Sequence, residues 1–108
     1  MPASNEAIAK TVMRTVAGAE ATFKATAGND GYGTLDQLVS AGLLSKEMIE
    51  KYGYRLEVTA SREKFEIVAM PIEYGRTGKL SFFMDESQVL RGGDHGGGAA
   101  TLSDQPLE

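Results

Sequence analysis

Apolar positions at the start of the chain follow the period of an α-helix. Between residues 5 and 27 they recur three or four positions apart, as expected for one face of a helix. This apolar stripe consists of Ile8, Val12, Val16, Ala19 and Phe23. The opposite face carries Lys10, Arg14, Glu20 and Lys24. We therefore predict an amphipathic helix over residues 4–27 whose stripe packs on a partner element.

Both ends of this predicted helix carry suitable residues. Ser4 and Asn5 can cap the first free amides, and Glu6 suits the positive end of the helix dipole. Gly28 followed by Asn29 is a common left-handed stop. Because a helix of this length is only marginally stable alone, the rest of the chain must cover its stripe.

Residues 28–53 have no long periodic pattern and predict a loop with short helical turns. Thr34 is placed to cap one such turn, Gly42 would end it, and Ser45 would begin another. The glycines at 28–33 follow a helix rather than a strand. A phosphate-binding loop needs a preceding strand, so we expect a tight turn there.

From Tyr54 the apolar period changes from 3.6 to 2, which is typical of strands. Four predicted strands follow, at residues 54–59, 64–69, 80–85 and 89–91. Residues 61–63 join the first two as a hairpin with one solvent-exposed face, and Pro71 ends the second. The pattern therefore predicts an α+β fold, with the long N-terminal helix packed on a three- to four-stranded antiparallel sheet over residues 54–91.

Composition limits the chain to a single domain spanning residues 1–108. The 108 residues are 42% hydrophobic, which is enough for one modest core. The net charge is −4 without a run of Lys or Arg, so we expect no direct nucleic-acid binding. The chain has no cysteine, which excludes disulfides and cysteine-bound zinc. No apolar run approaches the roughly 20 residues of a membrane helix, so we expect this stretch to be soluble.

Residues 92–108 form a glycine-rich C-terminal segment that is poor in large apolar side chains. Such a composition buries little surface, so we predict a flexible or edge-lying tail. Leu102 and Leu107 are the residues that could anchor it.

The candidate chemistry is concentrated in this tail. His95 is the only histidine, and the glycines around it would not hold a catalytic base or a metal ligand in place. Asp94 and Asp104 could contribute oxygens to calcium, but that ion needs six to eight ligands and no regular calcium loop is present. We therefore predict no catalytic residues, no metal ligands and no cofactor, with calcium the one cofactor left open. The chain is not expected to be an enzyme.

Several segments in a fixed order carry a resemblance to a known family. They are residues 13–23 (MRTVAGAEATF), 31–38 (GYGTLDQL), 41–44 (AGLL), 53–54 (GY), 69–71 (AMP), 78–87 (GKLSFFMDES) and 89–91 (VLR). Together they resemble the globular headgroup of a bacterial type IV pilin-like protein, either a pilin or a pseudopilin of type II secretion. The resemblance covers residues 5–91. The chain lacks the cysteine pair of many type IV pilins.

The resemblance implies a structural subunit of a filament that serves adhesion, motility or protein secretion. Such proteins begin with a leader peptide, a cleavage site, a glutamate near the methylated N-terminus, and an apolar half-helix. That half-helix anchors the protein in the inner membrane and later packs in a periplasmic or extracellular filament. None of these features is in this sequence. The resemblance thus implies that residues 4–27 are the second half of a longer helix whose membrane half is missing.

The resemblance also implies the partners: copies of the chain, other pilin-like subunits, and inner-membrane assembly machinery reached through the missing half-helix. Pseudopilins include a major subunit with calcium in a C-terminal loop. The matching region here is residues 85–94, but no ligand can be carried over. From their predicted exposure, we expect charged contacts between headgroups at Lys10, Arg14, Lys24 and Arg91.

An alternative belongs to another functional class. A small periplasmic ligand-binding or sensory module could share the same arrangement of helix on sheet. That alternative predicts a cavity between Phe23 on the helix and Phe65 and Phe82 on the sheet.

Overall fold

The computed structural model describes residues 2–26, 31–47 and 53–107. Its elements are α1 (Pro2–Ala25), α2 (Leu35–Ser40), β1 (Tyr54–Ala60), β2 (Phe65–Pro71), β3 (Leu80–Asp85), β4 (Arg91–Asp94) and β5 (Gln105–Pro106). The strands form one antiparallel sheet in the order β1-β2-β3-β4-β5. The predicted α+β arrangement of a long N-terminal helix on an antiparallel sheet is confirmed, with five strands in the described residues instead of three to four.

The core lies between α1 and the inner face of the sheet, where α1 packs on β2 and β3. The helix buries Ala9, Val12, Met13, Val16, Ala17, Ala19 and Phe23, and the two strands supply Phe65, Ile67, Ala69, Phe82 and Met84. Burial of each large apolar side chain contributes about 1.5–3 kcal/mol. The packing of the apolar face of α1 on the apolar inner face of the sheet therefore forms the core of the fold.

The predicted stripe was wrong at Ile8, which is 46% exposed. At about 100° per residue, the centre of the buried face runs along Ala9, Met13 and Val16. Ile8 lies at the margin of that face, where the sheet does not reach it.

The bounds of α1 also differ from the prediction. The helix begins at Pro2, so Ser4 and Asn5 lie within its first turns and do not cap it. It ends at Ala25. The predicted stop at Gly28 and Asn29 lies outside the described residues.

The first turns of α1 are fixed to the connection between β2 and β3. Asn5 Nδ2 donates to the Thr77 carbonyl at 3.0 Å. Glu6 Oε2 accepts the amides of Lys79 at 2.9 Å and Leu80 at 3.0 Å. The Glu6 carboxylate therefore binds the start of β3, in addition to any favourable interaction with the helix dipole.

The predicted turn at Thr34 is confirmed as α2, and it begins with a capping box. Thr34 Oγ1 accepts the Gln37 amide, and Gln37 Oε1 accepts the Thr34 amide. Gly42 follows the helix with a φ of 77°, which glycine adopts without strain. The helical turn predicted from Ser45 is present at residues 46–47, beyond which the next described residue is Gly53.

The predicted strands agree with β1, β2 and β3 within one or two residues, and Pro71 ends β2 as expected. The fourth strand was predicted at residues 89–91 but lies at Arg91–Asp94. Gln88 has a φ of 63°, which interrupts the extended chain after β3. Pairing with β3 consequently resumes only at Arg91.

The C-terminal segment lies along an edge of the sheet, which confirms the edge-lying alternative of the prediction. Residues 95–104, here called the closure loop, return the chain so that β5 pairs with β4. Ser81 Oγ on the outer face of β3 donates to the Gly98 carbonyl at 2.5 Å, and Ala100 is buried. Leu107 packs on the core as an anchor, whereas Leu102 is exposed. The closure loop thus covers part of the outer face of β3.

Candidate functional site

The exposed residues of α1 form a surface that we call the outward face. Its described members are Ser4, Ala7, Ile8, Thr11, Arg14, Thr15, Gly18, Ala21, Thr22 and Ala25. Among these, Arg14 is the only charged residue. The solvent side of an amphipathic helix usually carries many charges. This face is unusual because it is made almost entirely of small uncharged side chains.

Hydrogen bonding within α1 lowers the polarity of the outward face further. Thr11 Oγ1 donates to the Ala7 carbonyl at 3.2 Å, and Thr15 Oγ1 donates to the Thr11 carbonyl at 3.0 Å. Both hydroxyls are thereby turned back onto the helix. Gly18 has open space where a side chain would stand. The face can therefore accept the close approach of another helix.

The charged residues expected opposite the stripe are placed differently. Glu20 is fully buried, while Lys10 and Lys24 are half-buried. Lys10 Nζ lies 5.7 Å from the centre of the Phe82 ring. Lys24 Nζ lies 4.7 Å from the centre of the Tyr32 ring. The prediction of a broadly charged outer face was wrong because three of its four members lie at or inside the margin of the buried face.

The four residues predicted to contact other subunits do not form one surface. Lys24 Nζ donates to the Arg62 carbonyl at 2.9 Å, and Arg91 Nη1 donates to the Asp104 carbonyl at 3.0 Å. Lys24 and Arg91 thus bind their own chain, as does Lys10 through its ring contact. Only Arg14 lies on the outward face as predicted.

Glu20 is a buried carboxyl group that sequence reasoning misplaced. Its Oε1 atom accepts the Gly33 amide at 2.8 Å, and its Oε2 atom is buried without a hydrogen-bond partner among the described residues. Burial raises the pKa of Glu20, partly opposed by the Gly33 hydrogen bond. The spacing from Val16 to Glu20 to Phe23 follows the stripe, and this signal could have identified Glu20 as buried.

His95 and Asp104 close the loop from its two ends. His95 Nε2 lies 2.8 and 2.9 Å from the two carboxylate oxygens of Asp104. Asp104 Oδ2 also accepts the Thr101 amide at 2.7 Å. That amide hydrogen bond and the His95 contact lower the pKa of Asp104, against the effect of burial. His95 is exposed and contacts Asp104 within the closure loop.

A second carboxylate fixes the start of the closure loop. The Tyr74 hydroxyl donates to the two oxygens of Asp94, at 2.7 and 2.8 Å, and the Gly96 amide donates to one of them. The Tyr74 and Gly96 hydrogen bonds lower the pKa of Asp94, whereas the same Asp94 contact raises the pKa of Tyr74. Asp94 thus joins the β2–β3 connection to the end of β4.

These contacts bear on the cofactor that the sequence left open. Asp94 and Asp104 accept O–H and N–H donors within the chain, so calcium would have to displace those donors. Over the described residues, no three or more His, Asp or Glu side chains are grouped so that they could hold a metal ion. Calcium was left open and no ligand was assigned in residues 85–94, so the expectation of no cofactor stays a prediction.

The closure loop and β3 together contain the residue types of a hydrolytic triad. His95 and Asp104 are paired, but the Ser81 hydroxyl donates to Gly98 and not to the imidazole. A hydrolytic triad needs the nucleophile within hydrogen-bond reach of its base. The expectation that the chain is not an enzyme stays a prediction.

The ligand-binding alternative expected a cavity between Phe23, Phe65 and Phe82. All three side chains are buried in the same apolar core. An open depression lies elsewhere, at the turn end of the β1–β2 hairpin, and is lined by residues 59–61 and 64–66.

None of the described helices is long and apolar enough to cross a membrane.

Comparisons with known proteins supply no function to carry over. No protein-family model matches the chain, and neither the curated proteins nor the solved structures gave a match. The resemblance to type IV pilin-like headgroups rests only on the sequence segments quoted above.

Proposed function

We propose that the chain is the headgroup of a structural subunit in a type IV pilus or a type II secretion pseudopilus. The observation that carries this proposal is the outward face of α1, which has one charged residue, Arg14, among its described exposed positions. Small side chains let helix axes approach closely. In the assembled filament, this face packs against helices of neighbouring copies.

Rigid attachment of α1 supports the same role. Asn5 and Glu6 fix the first turns to the chain before β3, and Lys24 fixes the last turn to the Arg62 carbonyl. Each copy therefore presents the same face at the same angle. A repeated contact between identical rigid subunits builds an open helical assembly when the rotation does not close.

In this proposal each part of the fold has a separate role. The inner side of α1 holds the headgroup together, the sheet forms the outer shell, and the outward face meets other subunits. In the family that the sequence resembles, an apolar half-helix continues α1 at its N-terminal end and anchors the subunit before assembly. The partners are accordingly copies of the same protein, related minor subunits and the inner-membrane assembly machinery.

Two substitutions that change the charge of the outward face test the proposal. The full-length protein in its own cell would carry Arg14→Glu or Thr15→Glu, and filaments would be counted by electron microscopy. We expect both variants to lower the filament yield, because Thr15→Glu buries a new charge at the contact, which costs several kcal/mol, and Arg14→Glu reverses the charge already there. The reversal Lys46→Glu, at an exposed position outside α1, is the matched control and should leave the yield unchanged.

A stability measurement separates assembly from folding. Thr15 and Arg14 are exposed, so unfolding of the isolated headgroup should be little affected by either substitution. Unchanged filament yield with both outward-face variants would overturn the assignment of this face as the subunit contact.

A further inference from the structure

The two edges of the sheet are unequal. β5 at one edge has two residues, one of which is Pro106 and cannot donate a hydrogen bond. β1 at the other edge has seven residues, Tyr54–Ala60, and contains no proline. A long edge strand offers backbone groups that can pair with another strand.

The pairing of β1 with β2 determines which groups face that edge. The Ser61 amide donates to the Lys64 carbonyl at 2.8 Å and the Gly53 carbonyl accepts the Ile72 amide at 3.0 Å, so the residues just beyond both ends of β1 turn these groups toward the β2 side. Hydrogen-bonded pairs alternate along an antiparallel ladder. The odd-numbered residues of β1 therefore bond to β2, while Leu56 and Val58 turn their amides and carbonyls outward. In the described part of the chain, no backbone group from outside the ladder bonds to Leu56 or Val58.

The inner face of β1 is incompletely covered. Because α1 packs on β2 and β3, the side chains of Leu56, Val58 and Ala60 are only partly buried against the core. A strand added beside β1 would extend this apolar row and bury more of it.

The outer face of β1 indicates which strand fits. Arg55 Nε lies 3.6 Å from Glu57 Oε2, and these side chains are 66% and 61% exposed. A second copy of β1, antiparallel and related by a twofold axis through Leu56, would place Arg55 opposite Glu57 of that copy, twice. A twofold axis through Glu57 would instead oppose two like charges, which is unfavourable.

The backbone and the charges select the same register. With the axis at Leu56, the central pair consists of two residues whose amides and carbonyls face the edge, as a hydrogen-bonded pair requires. We propose that the chain forms a twofold dimer by antiparallel pairing of β1 with β1 of a second copy, which joins the two sheets into one. This closed contact is distinct from the open contact of α1 in a filament and does not rest on the filament function.

A charge-swap series tests this dimer in the 108-residue chain by sedimentation equilibrium over a concentration range. Arg55→Glu opposes two glutamates at each end of the contact, and Glu57→Arg opposes two arginines. Each single variant should raise the dimer dissociation constant about tenfold. The double variant Arg55→Glu/Glu57→Arg restores opposite charges and should return the constant to near the original value.

Mixing the two single variants gives the sharpest readout. In the dimer of one Arg55→Glu chain with one Glu57→Arg chain, each position 55 faces an opposite charge at position 57. The dissociation constant of this mixed dimer should therefore be lower than that of either variant alone. Hydrogen exchange at the Leu56 and Val58 amides should also slow as the concentration of the original chain rises. Thermal unfolding monitors the fold, which these exposed substitutions should preserve.

Three outcomes would overturn the proposal. The chain could remain monomeric throughout the concentration range, or the single variants could dimerise as well as the original chain. The double variant could also fail to recover dimerisation while remaining folded, which would rule out the Leu56 register.

Discussion

Glu20 Oε1 accepts the Gly33 amide at 2.8 Å within the core, and in the described part of the chain Glu20 Oε2 has no hydrogen-bond partner. A buried carboxylate with a single hydrogen bond is costly, so the neutral acid is the form that the core favours. Burial is the main cause of the raised pKa of Glu20, and the hydrogen bond from the Gly33 amide partly opposes it. The contact ties the middle of α1 to the segment that leads into α2.

Stability should therefore depend on pH through Glu20. Because its folded-state pKa is raised above the ordinary value of 4.5, the folded state holds the proton more tightly than the unfolded state. The stabilisation is complete below the ordinary value and is lost as pH rises through the raised pKa. Urea unfolding from about pH 4 to about pH 8 would measure this loss.

Glu20→Gln is the matched control for that experiment. Its amide oxygen can still accept the Gly33 amide, but it does not titrate. The free energy of unfolding of the original chain, minus that of the variant, should fall as pH rises. A difference that stays constant across the range would show that Glu20 does not titrate differently in the two states.

Two glycine-to-alanine substitutions should have opposite effects on stability. A Cβ at Gly33 would lie 2.8 Å from Phe23 Cε1, so Gly33→Ala should destabilise the fold by about 1–3 kcal/mol. A Cβ at Gly18 meets nothing within 4 Å, and Gly18→Ala in the helix should stabilise by about 0.5–1 kcal/mol. Urea unfolding of both variants measures the contrast. Equal changes would disprove the close packing of Gly33 on Phe23.

The closure loop should loosen when Asp104 loses its charge. Asp104→Asn weakens the contacts to His95 and to the Thr101 amide, so exchange of the Thr101 amide should accelerate. Because the folded-state pKa of Asp104 is lowered, its stabilisation is present above the ordinary value of 3.8 and is lost as pH falls through the lower value. Variant and original chain should therefore become alike in acid.

Glu63→Gln is the control for the closure loop, because Glu63 is an exposed acid in the β1–β2 turn. It removes the same charge from a different part of the surface and should leave Thr101 exchange unchanged. If Asp104→Asn has no larger effect than Glu63→Gln, the His95–Asp104 contact does not hold the loop.

Much of the fold was predictable because its signals are local. The spacing of Val12, Val16 and Phe23 indicated the helix, and alternation from Tyr54 indicated the first three strands. The capping box at Thr34 is likewise encoded within four residues. Each of these signals depends on neighbours in sequence.

The closure loop and the outward face were not predictable in this way. The Asp104 carboxylate reaches His95 across nine positions, and Gly93 permits the close approach, since a Cβ there would lie 2.9 Å from Asp104 Oδ1. Glycine-rich composition alone suggested flexibility. The sequence pattern assigned charges such as Lys24 to the outward face, although Lys24 lies at the margin of the core. The small residues around Gly18 that form this face were therefore overlooked.

Cysteine protection tests the central claim most directly, because the chain has no cysteine of its own. The full-length protein would carry Thr15→Cys on the outward face, with Lys46→Cys as the control, and labelling by a bulky maleimide would be compared in intact filaments and in dissociated subunits. The filament account predicts that position 15 reacts in dissociated subunits but is protected in filaments, whereas position 46 reacts in both. Equal labelling of position 15 in the two states, or a full-length protein that forms no filaments, would contradict it.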